Sequence, residues 1–129
     1  MNSTHLMDDF DRALTRLDEA LRVTTDDDVY RAGCIQYFEF CFELAWKTIK
    51  TFAEQAGVLE CTSPKASIKY AFSAGWIDDE DTWLAMLAAR NRMTHTYDMF
   101  GAFDVYDSLP RFLSEMQHLH GTLTAAQTA

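Results

Sequence analysis

Proline and glycine are scarce, two and five among 129 residues, which removes the usual punctuation of a turn-rich β protein and leaves room for long helices. No strand-like alternation, glycine-rich phosphate loop or Gly-x-Ser-x-Gly elbow occurs, so neither a nucleotide-binding α/β fold nor a serine hydrolase is indicated. Cysteine is limited to Cys34, Cys41 and Cys61, an odd number without a C-x-x-C pair. Neither a disulfide framework nor a zinc site is indicated, and neither a metal nor another cofactor is expected. Basic residues are also few, 11 against 20 acidic ones, for a net charge of -9. Such a chain cannot coat nucleic acid through counterion release, so any contact with RNA must be local. Finally, no stretch approaches the ~20 apolar residues of a membrane span, and Met1 to His5 lacks the basic, apolar and small-residue order of a signal peptide. A cytoplasmic protein without membrane contact is expected.

What is present points to a folded domain. Apolar residues make up 48% of the chain and aromatic ones 13%, far above the composition of disorder. A single domain of this length buries about two-thirds of the surface its unfolded chain exposes, and the expected extent is residues 1–122, with 123–129 as a flexible tail. The acids gather at Asp8-Asp9, Asp26 to Asp28 and Asp78 to Asp81, most simply as solvated helix starts.

In chain order, Leu6, Phe10, Leu14, Leu17 and Leu21 recur at three and four residues and predict an amphipathic helix from about Thr4 to Val23, with Asp8, Asp9 and Asp11 near its positive start. Thr25 or Asp26 is the expected cap of a second helix, about Asp27 to Ala56. There Gln36, Glu39, Glu43, Lys47, Lys50 and Glu54 share a sector of about 80°, and nearly everything else is apolar. Ile35, Phe38, Phe42, Ala45, Trp46, Ile49 and Phe52 can face a bundle, which leaves Tyr37, Phe40, Cys41 and Leu44 for another helix or another subunit. A homodimer with the second and fourth helices near its two-fold axis is therefore expected. Glu43 and Lys47 have the favourable order for an i,i+4 ion pair, so the polar sector reads as a solvated face. Glu39 and Glu43 have metal-ligand spacing but lack a histidine partner.

Gly57 is the expected left-handed C-cap, and Ser63-Pro64 starts a short helix to about Ala74 with Ile68, Ala71 and Phe72 inward. Gly75 stops it, and Asp78 or Asp79 starts the next. The last helix is expected from about Ala102 to Thr122, kinked or restarted at Pro110 with Ser108 as a cap, and Gly121 onward reads as frayed. Four long helices, one short helix and short connections describe an all-α fold, an antiparallel up-and-down four-helix bundle with one short extra helix.

The chemistry concentrates in Leu87 to Asp98, where Arg90, Asn91, Arg92, His95 and Tyr97 fall within one helical segment. Trp83, Met86, Leu87, Met93 and Tyr97 form an apolar stripe with Arg90 in its middle, an odd place for a guanidinium. Arg90 and His95, five apart, point roughly 140° away from each other on an ideal helix. One site using both needs local unwinding near Thr94 or a second copy of the motif across a dimer. The dimer would gather both copies of Arg90 and Arg92 into one cleft, where a phosphate could bind despite the net charge. A histidine titrates near neutral pH and can exchange a proton with a ribose 2′-hydroxyl or a leaving 5′-oxygen, and an arginine can neutralise the phosphorane between them. Asn91 and Arg92 are positioned to bind substrate. The plainer alternative is a structural histidine, with Arg90 in an ion pair to Asp98 or to a glutamate of the second helix.

The spacing R-x4-H-x-Y at Arg90, His95 and Tyr97 resembles the motif of the HEPN-domain family. Phe38 to Lys47, Ser63-Pro64, Gly75 to Asp78 and Trp83 to Asp98 are similar, in that order, to its nucleotidyltransferase substrate-binding branch, the helical partners of minimal nucleotidyltransferases. The resemblance implies the same helical bundle and a separately encoded minimal nucleotidyltransferase as partner. It further implies a toxin–antitoxin pair in which a metal-independent ribonuclease acts through Arg90 and His95 and is silenced when the partner attaches AMP to Tyr97. The alternative it leaves open is a non-catalytic subunit that presents a substrate to the nucleotidyltransferase.

Overall fold

Five helices in a computed structural model carry the chain: α1 (Ser3–Leu21), α2 (Asp28–Gln55), α3 (Pro64–Ser73), α4 (Glu80–His95) and α5 (Met99–Thr128). The structure describes residues 3–95 and 99–128, and the side chains of these except at 3, 94, 95, 99–103 and 128. Among the described residues there is no strand, and the fold is all-α as expected.

Helices α1, α2 and α5 pack against one another, while α3 bridges α2 to α4 and α4 returns along α5. The centre is a single cluster in which Phe10 and Leu17 of α1, Phe38, Phe42 and Ile49 of α2, Trp83 and Met86 of α4, and Leu109 and Met116 of α5 are fully buried. His120 of α5 joins α1 at its own level, with Nε2 3.2 Å from the Met7 carbonyl and its ring edge-on to Phe10.

Local chemistry sets the helix ends. Asp27 caps α2 by accepting from the Val29 and Tyr30 amides at 2.8 and 3.2 Å. The expected caps, Thr25 and Asp26, lie one or two residues early, and Thr25 instead accepts from the Asp27 amide. Gly57, at φ 83°, ends α2, and the Val58 amide reaches back to the Ala53 carbonyl. Ser63 accepts from the Ala66 amide with Pro64 in the first turn of α3, and Gly75, at φ 78°, closes that helix. Asp79 holds the start of α4 through the Thr82 amide and hydroxyl at 3.0 and 2.6 Å.

Several expectations need correction. Because α1 begins at Ser3, no acid falls in its first turn, where the helix dipole is strongest. Cys41, left above for another helix or another subunit, is fully buried in this chain's own core, and Phe72, expected inside, is 46% exposed. Helix α5 runs through Pro110 without restarting, and Ser108 is no cap, because its hydroxyl donates to the Asp104 carbonyl one turn back. Pro110 is exposed, so the carbonyl that loses its partner can be hydrated instead. The helix also continues beyond residue 122, and Leu123 is fully buried; burial of that side chain outweighs the weak helix propensity of Gly121.

Candidate functional site

Helix α4 buries Thr82, Trp83, Met86 and Ala89, with Met93 packed against the same core. Arg90 lies at the edge of that face, next to α2. Its side chain is one-third exposed, and its Nη2 donates to Glu43 Oε1 at 2.6 Å across the helix pair. Glu43 is itself held: Oε2 accepts from Trp46 Nε1 at 3.1 Å and lies 3.8 Å from Lys47 Nζ. A carboxylate with two fixed donors and one looser cation is a rigid anchor, so the guanidinium is directed by α2 as well as by its own helix.

Arg90 Nη1 also donates to the neighbouring Asn91 Oδ1, at 3.4 Å. Glu39, one turn before Glu43 on α2, is half-buried, and desolvation pushes its carboxyl above the usual range while Arg90 pulls it back. Arg90 thus sits against two carboxylates of one helix, of which Glu43 is bonded to it and Glu39 acts through space. The spacing of Glu43 and Lys47 is met as expected, but the sector that contains them is not simply a solvated face.

Within the motif, the structure brings Arg90 and Asn91 together on the α2 side. Arg92 is exposed on the other flank, where it lines a groove with α5, so the two arginines do not converge within one chain. The backbone remains helical through His95, and among the described residues the unwinding near Thr94 that would swing positions 90 and 95 to one side is absent. The side chain of His95, and all of Tyr97, lie outside the described residues. The plainer alternative read from the sequence, an ion pair of Arg90 with a glutamate of the second helix, is met, and the glutamate, which the sequence did not single out, is Glu43. Its signal was the i,i+3 spacing to Trp46, whose indole N–H needs an acceptor.

The thiols offer no nucleophile. Burial raises all three, and Cys41 is pushed up to about 12. Asp78, Glu115 and His118 have potential metal-ligand atoms within 4.8 Å of one another. They stand beyond the start of α4, on the order of 15 Å along its axis from Arg90, and are not part of this constellation.

Residues 5–125 match the family model described as nucleotidyltransferase substrate binding protein like. A Haemophilus influenzae protein named probable ribonuclease HepT is 34% identical over 96 residues, which cover 71% of this chain and 66% of that protein, just under two-thirds of its length. A crystal structure from Thermus thermophilus superposes with a TM-score of 0.81 at 30% identity, covering 88% of this chain and 98% of that one. A Haemophilus influenzae structure, described as revealing the fold of a substrate binding domain of a nucleotidyltransferase, superposes with a TM-score of 0.83 at 28% identity, covering 92% and 98%.

Proposed function

The chain belongs to the nucleotidyltransferase substrate binding protein like family, and on that premise we propose that it is the helical half of a two-component pair, a metal-independent ribonuclease toxin held silent by a separately encoded minimal nucleotidyltransferase. The observation that carries this reading is the anchored guanidinium. Arg90 is fixed by Glu43 at 2.6 Å on the same helix that ends at His95. A cation held this way before substrate arrives can meet the charge developing on a phosphorane without reorganising.

The reaction balances with protein groups alone. His95 takes the proton from a ribose 2′-hydroxyl, the 2′-oxygen attacks phosphorus, and the P–O5′ bond breaks. The leaving oxygen receives a proton from an imidazolium, and the products carry a 2′,3′-cyclic phosphate and a 5′-hydroxyl. Because α4 stays helical through His95, Arg90 of one protomer works with His95 of its partner in a homodimer whose α2 and α4 lie near the two-fold axis. Exposed Tyr37 and Phe40, adjacent on α2 with ring centroids 6.4 Å apart, offer apolar surface for that contact. Asn91 and Arg92 bind the flanking RNA. AMP on Tyr97 places a negative group near Arg90 and takes up the charge that the scissile phosphate needs.

The family's description, and that of the Haemophilus structure, favour another reading, a subunit that presents substrate to the nucleotidyltransferase and cleaves nothing. Expression of the chain without its partner separates the two. The ribonuclease reading predicts growth arrest that His95→Ala abolishes and co-expression of the nucleotidyltransferase relieves; normal growth with undegraded RNA contradicts it.

A further inference from the structure

Opposite the Glu43 contact, α4 and α5 enclose a groove of about 250 Å³. From α4 it receives Ala85, Ala88, Ala89 and Arg92, spaced as one helical face, so three methyl side chains leave the space beside an arginine. From α5, Asp104, Ser108 and Arg111 form the facing rim, above the buried Val105 and Phe112. The helices are antiparallel neighbours, and positions counted outward from their short connection put Arg92 at about the level of Asp104 and Arg111 about two turns away, toward Ala85. The two guanidinium-bearing positions are therefore about 10 Å apart along the axis, seven residues at the helical rise. The Arg111 guanidinium also lies 5.5 Å from the Phe112 ring centroid.

We infer that this groove binds the backbone of single-stranded RNA beside the cleavage site, with Arg92 and Arg111 contacting different phosphates of one strand. The inference rests on the ribonuclease reading and extends its substrate contacts to the opposite flank of α4. Its volume lies below the ~300–1,000 Å³ of pockets that enclose free small ligands, so a strand laid across it fits better than a captured nucleotide. Two cations on the facing helices of one groove suit a strand, which carries a phosphate per nucleotide. Such a local pair of cations is also how a chain of net charge -9 can hold RNA at all. Asp104, and Asp79, whose carboxyl is held low mainly by the Thr82 hydroxyl and amide and least by Arg111, offset some of that charge. The groove is accordingly a secondary contact that adds to the Arg90 site.

Binding is read by fluorescence anisotropy of a labelled single-stranded RNA of about 12 nucleotides on a His95→Ala parent, which does not destroy the probe. Arg111→Gln and Arg92→Gln should each weaken binding several-fold at about 0.1 M salt and lower the salt slope by about 0.7, the value of one single-strand phosphate contact. Ala88→Glu, which fills the groove with a like charge to the phosphate, should weaken binding further, while Lys65→Gln on α3 should leave it unchanged. Thermal melting of each variant establishes that it is folded. Unchanged affinity and slope in both arginine variants, with the parent binding RNA, would overturn the groove and leave the ribonuclease reading standing. A parent that binds no RNA, with a wild-type chain that cleaves none, would overturn both.

Discussion

Truncating Glu43 to alanine removes the acceptor of Arg90 Nη2 at 2.6 Å together with that of the Trp46 indole. The Arg90 and Glu43 side chains are 32% and 33% exposed, between the surface and buried extremes. Exposed pairs contribute about 0.2–1 kcal/mol, and breaking a buried one costs about 3–5 kcal/mol, so a coupling of about 1–2 kcal/mol is expected here. Unfolding entropy for 129 residues is about 0.27 kcal/mol/K, and that coupling corresponds to about 4–7 °C in Tm. A double-mutant cycle of Glu43→Ala and Arg90→Ala, followed by thermal and urea unfolding, subtracts the Trp46 and Lys47 contributions and isolates the pair. The same variants in an RNA cleavage assay should show Glu43→Ala lowering kcat with little change in KM, because the guanidinium is retained but no longer oriented. Additive stability effects within about 0.3 kcal/mol, or full activity in Glu43→Ala, would refute the anchoring argument.

Three further outcomes follow from particular residues. Burial raises the Glu39 carboxyl, so the folded chain holds that proton more tightly than the unfolded one, and its stabilising contribution is lost as pH rises through the raised value. Glu39→Gln should therefore gain stability over wild type at pH 7 but not below the ordinary glutamate value of about 4.3, and an equal loss at both would contradict this. Leu123→Ala should cost about 2–4 kcal/mol in urea unfolding, since the side chain is fully buried at a point where a flexible tail would show no effect. A mixed dimer of Arg90→Ala and His95→Ala subunits should recover one working site and about half the wild-type rate at most. Sedimentation at the monomer mass, or a mixed dimer as inactive as either parent, would remove the composite site.

The fold was legible where local chemistry and tertiary packing agree. Gly57, Ser63-Pro64 and Gly75 each act at the position their backbone preferences indicate, and the three-and-four spacing of Leu6, Phe10, Leu14 and Leu17 marks a helix face that is buried. It was not legible where packing overrules a local signal. Pro110 and Gly121 read as breaks, yet burial of Leu109, Phe112, Leu119 and Leu123 keeps one helix intact across both. The candidate site divides similarly. The motif supplied Arg90, but its bond to Glu43 depends on how α4 is rotated against α2, which no single-helix wheel contains. For the same reason Arg90 and Arg92, two positions apart, read from the sequence as neighbours in one cleft although they turn to different helices.

The central claim, that Arg90 and His95 cleave RNA without a metal, is tested most directly by the chemistry of the ends. The purified chain, free of any nucleotidyltransferase, is incubated with RNA in EDTA and the products are resolved by end-group analysis. Cleavage that persists in chelator, leaves 2′,3′-cyclic phosphate and 5′-hydroxyl ends and disappears in His95→Ala is the predicted result. Products with 3′-hydroxyl ends, or activity abolished by EDTA, would contradict it.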